Sequence, residues 1–190
     1  MFMREFFGLF LLLSIVACND RAQTANASTV DTISKETNTI KREPSHVFSN
    51  SYGFDTAYET SKEHAPFVLT GYFNPDNVLD TAVLIRYKLS GKDALFIKHG
   101  GIDKTFLLKT GNDVGTDFND FSWVGQFKVI KKGTTIFNNV IDGEIVGSDQ
   151  VPDSNKITLQ TDAILVHEDE GGGGGIIYFN NGHYTWVQQD

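Results

Sequence analysis

From Phe67 onward the chain is cut repeatedly by Gly, Asn and Asp into apolar runs too short to be helices. The runs are Phe67 to Phe73, Thr81 to Leu89, Ala94 to Lys98, Thr105 to Lys109, Phe121 to Lys131, Thr134 to Val140, Lys156 to Thr161, Ala163 to His167, Ile176 to Phe179 and Tyr184 to Gln188. They are rich in β-branched and aromatic residues, which fit a pleated surface, and turn signals such as Ser90-Gly91-Lys92-Asp93 and Asn180-Asn181-Gly182-His183 separate them. The Asn-Gly step tolerates positive φ and predicts a short hairpin between the last two runs. No segment of ten or more residues keeps a helical period with caps. Parallel strands need long crossovers, and none is present, so the pattern predicts an all-β fold over 67–190. An antiparallel meander, built as a sandwich or as partial propeller-like sheets, accounts for the spacing.

What precedes these runs concerns location. Met1 to Glu5 carries one Arg, and Phe6 to Val16 is an eleven-residue, almost unbroken apolar run. That length is too short for a comfortable permanent membrane span and reads as a secretory signal over residues 1–17. It ends in Ile15-Val16-Ala17-Cys18, which resembles the lipobox of bacterial lipoproteins. The resemblance implies cleavage before Cys18, alkylation of its thiol by a diacylglycerol and acylation of the freed amine. Each buried methylene contributes about 0.8 kcal/mol, so two or three chains make a lasting membrane anchor. Cys18 is the only cysteine, which excludes an intrachain disulfide. The implied location is the cell envelope, most simply an outer membrane, with the domain facing either the periplasm or the exterior.

Residues 18–45 continue as Ser, Thr, Asn, Gln, Lys and Glu without aromatics, a composition that cannot bury enough surface to offset the entropy of ordering. The segment is expected to be a flexible tether with a root-mean-square span of about 30 Å. Bases and acids interleave at Lys35-Glu36 and Lys41-Arg42-Glu43, unlike a polybasic lipid-binding patch. Pro44 and the aromatics Phe48, Tyr52, Phe54 and Tyr58 mark a change of character, and residues 46–66 form an approach to the domain. The formal net charge of -8, with the bases scattered, excludes nucleic acid as a natural partner.

One turn stands out. Gly71-Tyr72-Phe73-Asn74-Pro75-Asp76-Asn77-Val78-Leu79-Asp80 is rich in oxygen ligands and leads into the apolar Thr81-Ala82-Val83-Leu84. It resembles the loop of FG-GAP or VCBS-type propeller repeats, with Gly71, Asn74, Asp76 and Asp80 on the pattern. The resemblance implies a calcium ion held by Asn74, Asp76 and Asp80, since a hard cation takes oxygens delivered by alternate residues of a tight loop. Tyr72 stands where that family usually has its first carboxylate, and Pro75 and Asn77 where glycines are common. The other reading of the same residues is that their side chains bond the turn's own backbone.

Two further acidic stretches are Asn112 to Asp120 and Glu168-Asp169-Glu170, the latter running into Gly171 to Gly175. The first reads as a solvated loop, the second as an exposed strand end followed by a loose glycine hairpin. Trp123 and Trp186, with Phe121, Phe127, Tyr178, Phe179 and Tyr184, supply either a core or a platform for a sugar or peptide. His46, His64, His99, His167 and His183 are far apart, and no Gly-x-Ser-x-Gly elbow occurs, so no catalytic set is recognisable. The expected function is therefore a lipid-anchored, non-enzymatic envelope protein with a binding or accessory role, its partner an envelope protein or a glycan. The alternatives are an envelope hydrolase acting on glycans, with acids from Asp113 to Asp120 and Glu168 to Glu170, and a structural accessory of an envelope assembly.

Overall fold

The computed structural model describes residues 51–190. The expected signal peptide (1–17), Cys18, the expected tether (18–45) and the first residues of the approach segment lie outside the described residues. The described chain is nearly all β, and every ladder is antiparallel.

Two sheets make the body. The first contains β1 (Tyr58–Thr60), β2 (Val68–Gly71), β3 (Asp80–Tyr87), β4 (Asp93–Lys98) and β5 (Thr105–Leu108). Its order is β1-β3-β4-β5, with β2 sharing the β1 edge of β3. The second contains β6 (Gln126–Ile130), β11 (Ala163–His167), β12 (Gly174–Asn180) and β13 (His183–Gln189), in the order β13-β12-β11-β6. Between β6 and β11 lie four two-residue strands, β7 (Thr135–Ile136), β8 (Val140–Ile141), β9 (Glu144–Ile145) and β10 (Ile157–Thr158), pairing as β7 with β10 and β8 with β9. The Asn181-Gly182 step closes the β12–β13 hairpin with both residues at positive φ, 48° and 92°, as two-residue hairpins of right-handed twist require.

Side-chain alternation along β3 and β4 explains why their sequences are continuously apolar. Ala82, Leu84, Leu95 and Ile97 face a core shared with Phe127, Ile164, Val166 and Ile177 of the second sheet. Val83, Ile85, Ala94 and Phe96 face the other way and are just as buried, because Phe54, Tyr52 and Tyr58 of the approach segment cover them. Phe54 meets Phe96 edge to face at 5.7 Å. Burial of a large apolar side chain contributes about 1.5 to 3 kcal/mol, so the approach segment is part of the fold's stability. On the outer face of the second sheet, Ile136 and Leu159 cover Ala163, Ile176 and Val187. Both sheets are therefore buried on both faces.

One departure from the sequence pattern, and one excursion it does not address, have local causes. Phe121 to Lys131 supplies a strand only from Gln126, because Phe121 and Val124 turn into the end of the core, where Val124 N–H donates to the Phe121 carbonyl. Between β1 and β2 the chain leaves the sheet as a loop at Ser61 to Phe67. Ser61 N–H donates to the Leu84 carbonyl and Leu84 N–H donates to the Phe67 carbonyl, each at 2.9 Å, so β3 keeps its partners on either side of the excursion. That loop carries His64 into the interior.

Candidate functional site

The turn at Tyr72 to Asp80 is held by its own side chains. The Asp80 carboxylate is fully buried and accepts three backbone N–H groups, from Phe73 at 2.7 Å, Asn74 at 3.1 Å and Gly100 at 2.8 Å. Asn74 Oδ1 accepts the Asp76 N–H, and Asp76 Oδ1 accepts the Val78 N–H, both at 2.8 Å. Three donors occupy most of the roughly four lone-pair sites of the Asp80 carboxylate. Among the described residues, no group of three or more His, Cys, Asp or Glu side chains is arranged to hold a metal ion. Asn74, Asp76 and Asp80 thus each accept backbone N–H groups, and these bonds brace the turn.

The two other acidic stretches come together. Gly111–Val114 is a short 3-10 turn whose Asp113 accepts the Lys109 and Thr110 N–H groups, which directs the following residues across the end of the sandwich. There Asp117 and Phe118 meet Trp123, Glu168 and Trp186 around an open depression of about 240 Å³. A larger neighbouring cleft of about 610 Å³ shares Trp123 and Glu168 and adds Glu63, Asp169 and Glu170. Five carboxylates line the pair, and no Lys or Arg among the described residues does. The aromatics form one cluster, with Phe118 at 5.5 Å from Trp123, 5.6 Å from Trp186 and 4.9 Å from Phe121. Trp123 and Trp186 are thus both partly core and partly groove wall.

Of the glycine run beside this groove, only Gly171 to Gly173 lie in the connection. Gly174 and Gly175 belong to β12, where a Cβ on Gly175 would come within 2.2 Å of the Trp186 ring. The indole lies against bare backbone there, and its N–H donates to Gln188 Oε1 at 3.0 Å. The Trp123 indole N–H, in contrast, is a buried donor without an acceptor among the described residues. Such groups are rare in native folds and call for an explanation.

Behind the larger cleft lies a charged network with no strong sequence signature. Arg86 and Asp93 stand opposite each other on the β3–β4 ladder. The Asp93 carboxylate is completely buried and accepts from Arg86 Nε at 2.7 Å and Nη2 at 3.0 Å, Ser61 Oγ at 2.8 Å and His64 Nε2 at 2.8 Å. Burial alone would raise the Asp93 pKa. The hydrogen bonds from His64, Arg86 and Ser61 more than offset it and hold the carboxyl well below the usual range. His64 Nδ1 faces the Val124 carbonyl, so both ring nitrogens meet acceptors, the arrangement that the doubly protonated ring satisfies. The hydrogen bond to Asp93 raises the His64 pKa against the opposing effect of burial. Glu63 completes the set by a two-pronged contact with Arg86 at 2.6 Å.

Ser61, His64 and Asp93 are the residue types of a nucleophilic triad, but their connections are those of a structural clamp. Ser61 donates to Asp93 and not to His64, and its side chain is sealed from solvent. In a working relay the imidazole would take the hydroxyl proton. The cue available in the sequence was the pairing of Arg86 with Asp93 around the Ser90-Gly91 turn; nothing local connected either residue to His64.

Neither the family models, nor the curated proteins, nor the solved structures compared with this chain match it.

Proposed function

We propose that the chain is a lipid-anchored cell-envelope protein whose sandwich binds a glycan in the Trp123–Trp186 groove without turning it over. The observation that carries this reading is the meeting of two acidic loops, far apart in sequence, around two partly buried indoles. Indole rings offer broad, rigid apolar faces, and carboxylates and the Gln188 amide offer acceptors for hydroxyl or ammonium protons. The five carboxylates, with no described Lys or Arg lining the groove and His64 committed to Asp93 and Val124, disfavour phosphorylated or carboxylated ligands, so neutral sugars and amino sugars are the fitting class. The sequence resemblance at Cys18 supports the anchor.

The test is a titration of the mature chain with neutral and amino-sugar oligosaccharides, following tryptophan fluorescence, with a uronic-acid oligomer for comparison. Trp123→Ala and Glu168→Gln are each expected to weaken binding about tenfold, equivalent to about 1.4 kcal/mol. Affinity unchanged in both variants would remove the groove as the site. A second reading, glycan hydrolysis, is favoured by the same convergence of two acid-bearing loops, since paired carboxyl groups across a cleft are what glycoside hydrolysis uses. New reducing ends appearing during the titration would select it over binding.

A further inference from the structure

We propose that the end of the sandwich carrying Val78, Leu79 and Ile102 rests on the lipid surface to which the chain is tethered. Among the large apolar residues exposed on the described chain, these three form a cluster, at 41%, 52% and 50% exposure. Val78 packs over the Gly100-Gly101 turn, where a Cβ on Gly100 would fall 2.2 Å from the Leu79 carbonyl oxygen, so the two loops share one ridge. Leu79 and Ile102 border the same depression. Of the others, Tyr72 precedes the ridge on the same turn, Leu89 stands at the β3–β4 turn, and Ile141 and Ile145 belong to the separate β8–β9 hairpin.

Two observations select a bilayer as the occupant. The first is where the chain enters the domain: Ser51 and Tyr52, the first described residues, line the same depression as Leu79 and Ile102. A tether arriving there brings this end of the domain toward whatever holds the other end of the tether. If the 32 residues between Cys18 and Ser51 act as the flexible tether expected from their composition, their span is about 30 Å, which sets the local concentration of lipid at the cluster in the millimolar range or above, so that a weak apolar contact becomes occupied. The second is stiffness. The Asp80 carboxylate ties Phe73, Asn74 and Gly100 together, so the aliphatic tips are held outward and little ordering entropy opposes insertion. Lys98 borders the same depression and, among the described residues, is the one cation that lines it. The acids Asp76 and Asp103 flank the same ridge, so the contact depends on the apolar tips more than on net charge.

This inference rests on the lipid-anchor reading, and its test supplies the tether by other means. The mature chain with Cys18→Ser and an N-terminal hexahistidine is tethered to vesicles of phosphatidylethanolamine, phosphatidylglycerol and a nickel-chelating lipid. With the native thiol gone, an environment-sensitive dye is placed at Asp103→Cys, or for comparison at Ser148→Cys. The dye at 103 is expected to shift to the blue and to be quenched by a bilayer-embedded quencher at least about fivefold more than the dye at 148. Combining Leu79→Asp with Ile102→Asp, both on exposed loops, abolishes the difference while leaving the melting curve unchanged. Equal quenching at both positions, or no quenching at either, overturns the proposal. A shift at 103 that grows with protein concentration without vesicles also overturns it, in favour of a second copy as the occupant. A positive result with Cys18 found unacylated in cells would sink the anchor alone, and a negative result with Cys18 acylated would sink the docking alone.

Discussion

His64, on a loop, lies 2.8 Å from the buried carboxylate of Asp93, a residue that is 29 positions later in the chain and on β4. The contact joins the loop between β1 and β2 to the β3–β4 ladder, and through the Val124 carbonyl it reaches the segment that begins the second sheet. A single imidazole therefore fastens three parts of the chain.

Its protonation sets a pH dependence. The groups facing His64 are Asp93 on β4, Arg86 on β3, Ser61 and Glu63 on its own loop, and the Val124 carbonyl. The folded pKa is raised above the ordinary value of about 6.5, so the stabilisation is fully present below that pH and is lost as pH rises through the folded value. Asp93 has the opposite sign: its contribution is present above the ordinary carboxylate range and disappears only in strong acid. The unfolding midpoint is expected to be highest in mildly acidic solution and to fall toward alkaline pH, and His64→Gln should flatten that fall. A wild-type midpoint that does not change between about pH 6 and 9 would contradict the assignment.

Removing the carboxylate at the centre should be far more damaging than removing its exposed neighbour. Asp93→Ala leaves His64 and Arg86 without their buried counter-charge, a class of change that costs about 3 to 5 kcal/mol. Glu63→Ala, at the solvent-exposed rim, should hardly alter the curve. Urea denaturation of the two variants compares them directly, and equal effects would refute the clamp.

Asp80→Ala withdraws the acceptor from the N–H groups of Phe73, Asn74 and Gly100. Allowing for water reaching some of the freed donors, a loss of about 3 kcal/mol is expected. Adding calcium or a chelator should leave the wild-type melting temperature where it was, whereas a rise with calcium would restore the cation reading of the turn.

Gly175→Ala should dislodge an indole. The new methyl would meet the Trp186 ring, and overpacking of this kind costs about 1 to 3 kcal/mol. In a Trp123→Phe background Trp186 is the only indole, so a change in its emission maximum reports the displacement. An unchanged spectrum would mean that the ring is not seated on residue 175.

Cys18→Ser should release the protein from the membrane fraction, and a metabolic fatty-acid probe should mark the unsubstituted chain and not the variant. A variant that stays as firmly bound would disprove acylation as the anchor.

Strand positions and turns were legible because their causes are local. Period-two alternation, β-branched runs and the positive-φ steps at Asn181-Gly182 need only neighbouring residues, and β3, β4, β11, β12 and β13 appear close to where those signals put them. The bonding of Asn74, Asp76 and Asp80 within one turn was equally local, and it was one of the two readings that their spacing allowed. The turn inside Phe121 to Lys131 was not legible, because apolar residues that plug the end of a core look like those that line a strand.

By itself, the sequence determined an antiparallel, disulfide-free β domain and carried the pattern for an anchor at Cys18. Only the tertiary structure decided that Asp117, Trp123, Glu168 and Trp186 share a groove, that His64 is clamped to Asp93, and that Ser51 lies beside Leu79 and Ile102. Those pairings form when two sheets close on one core, and which distant side chains then meet depends on register and packing across the whole domain rather than on nearby residues.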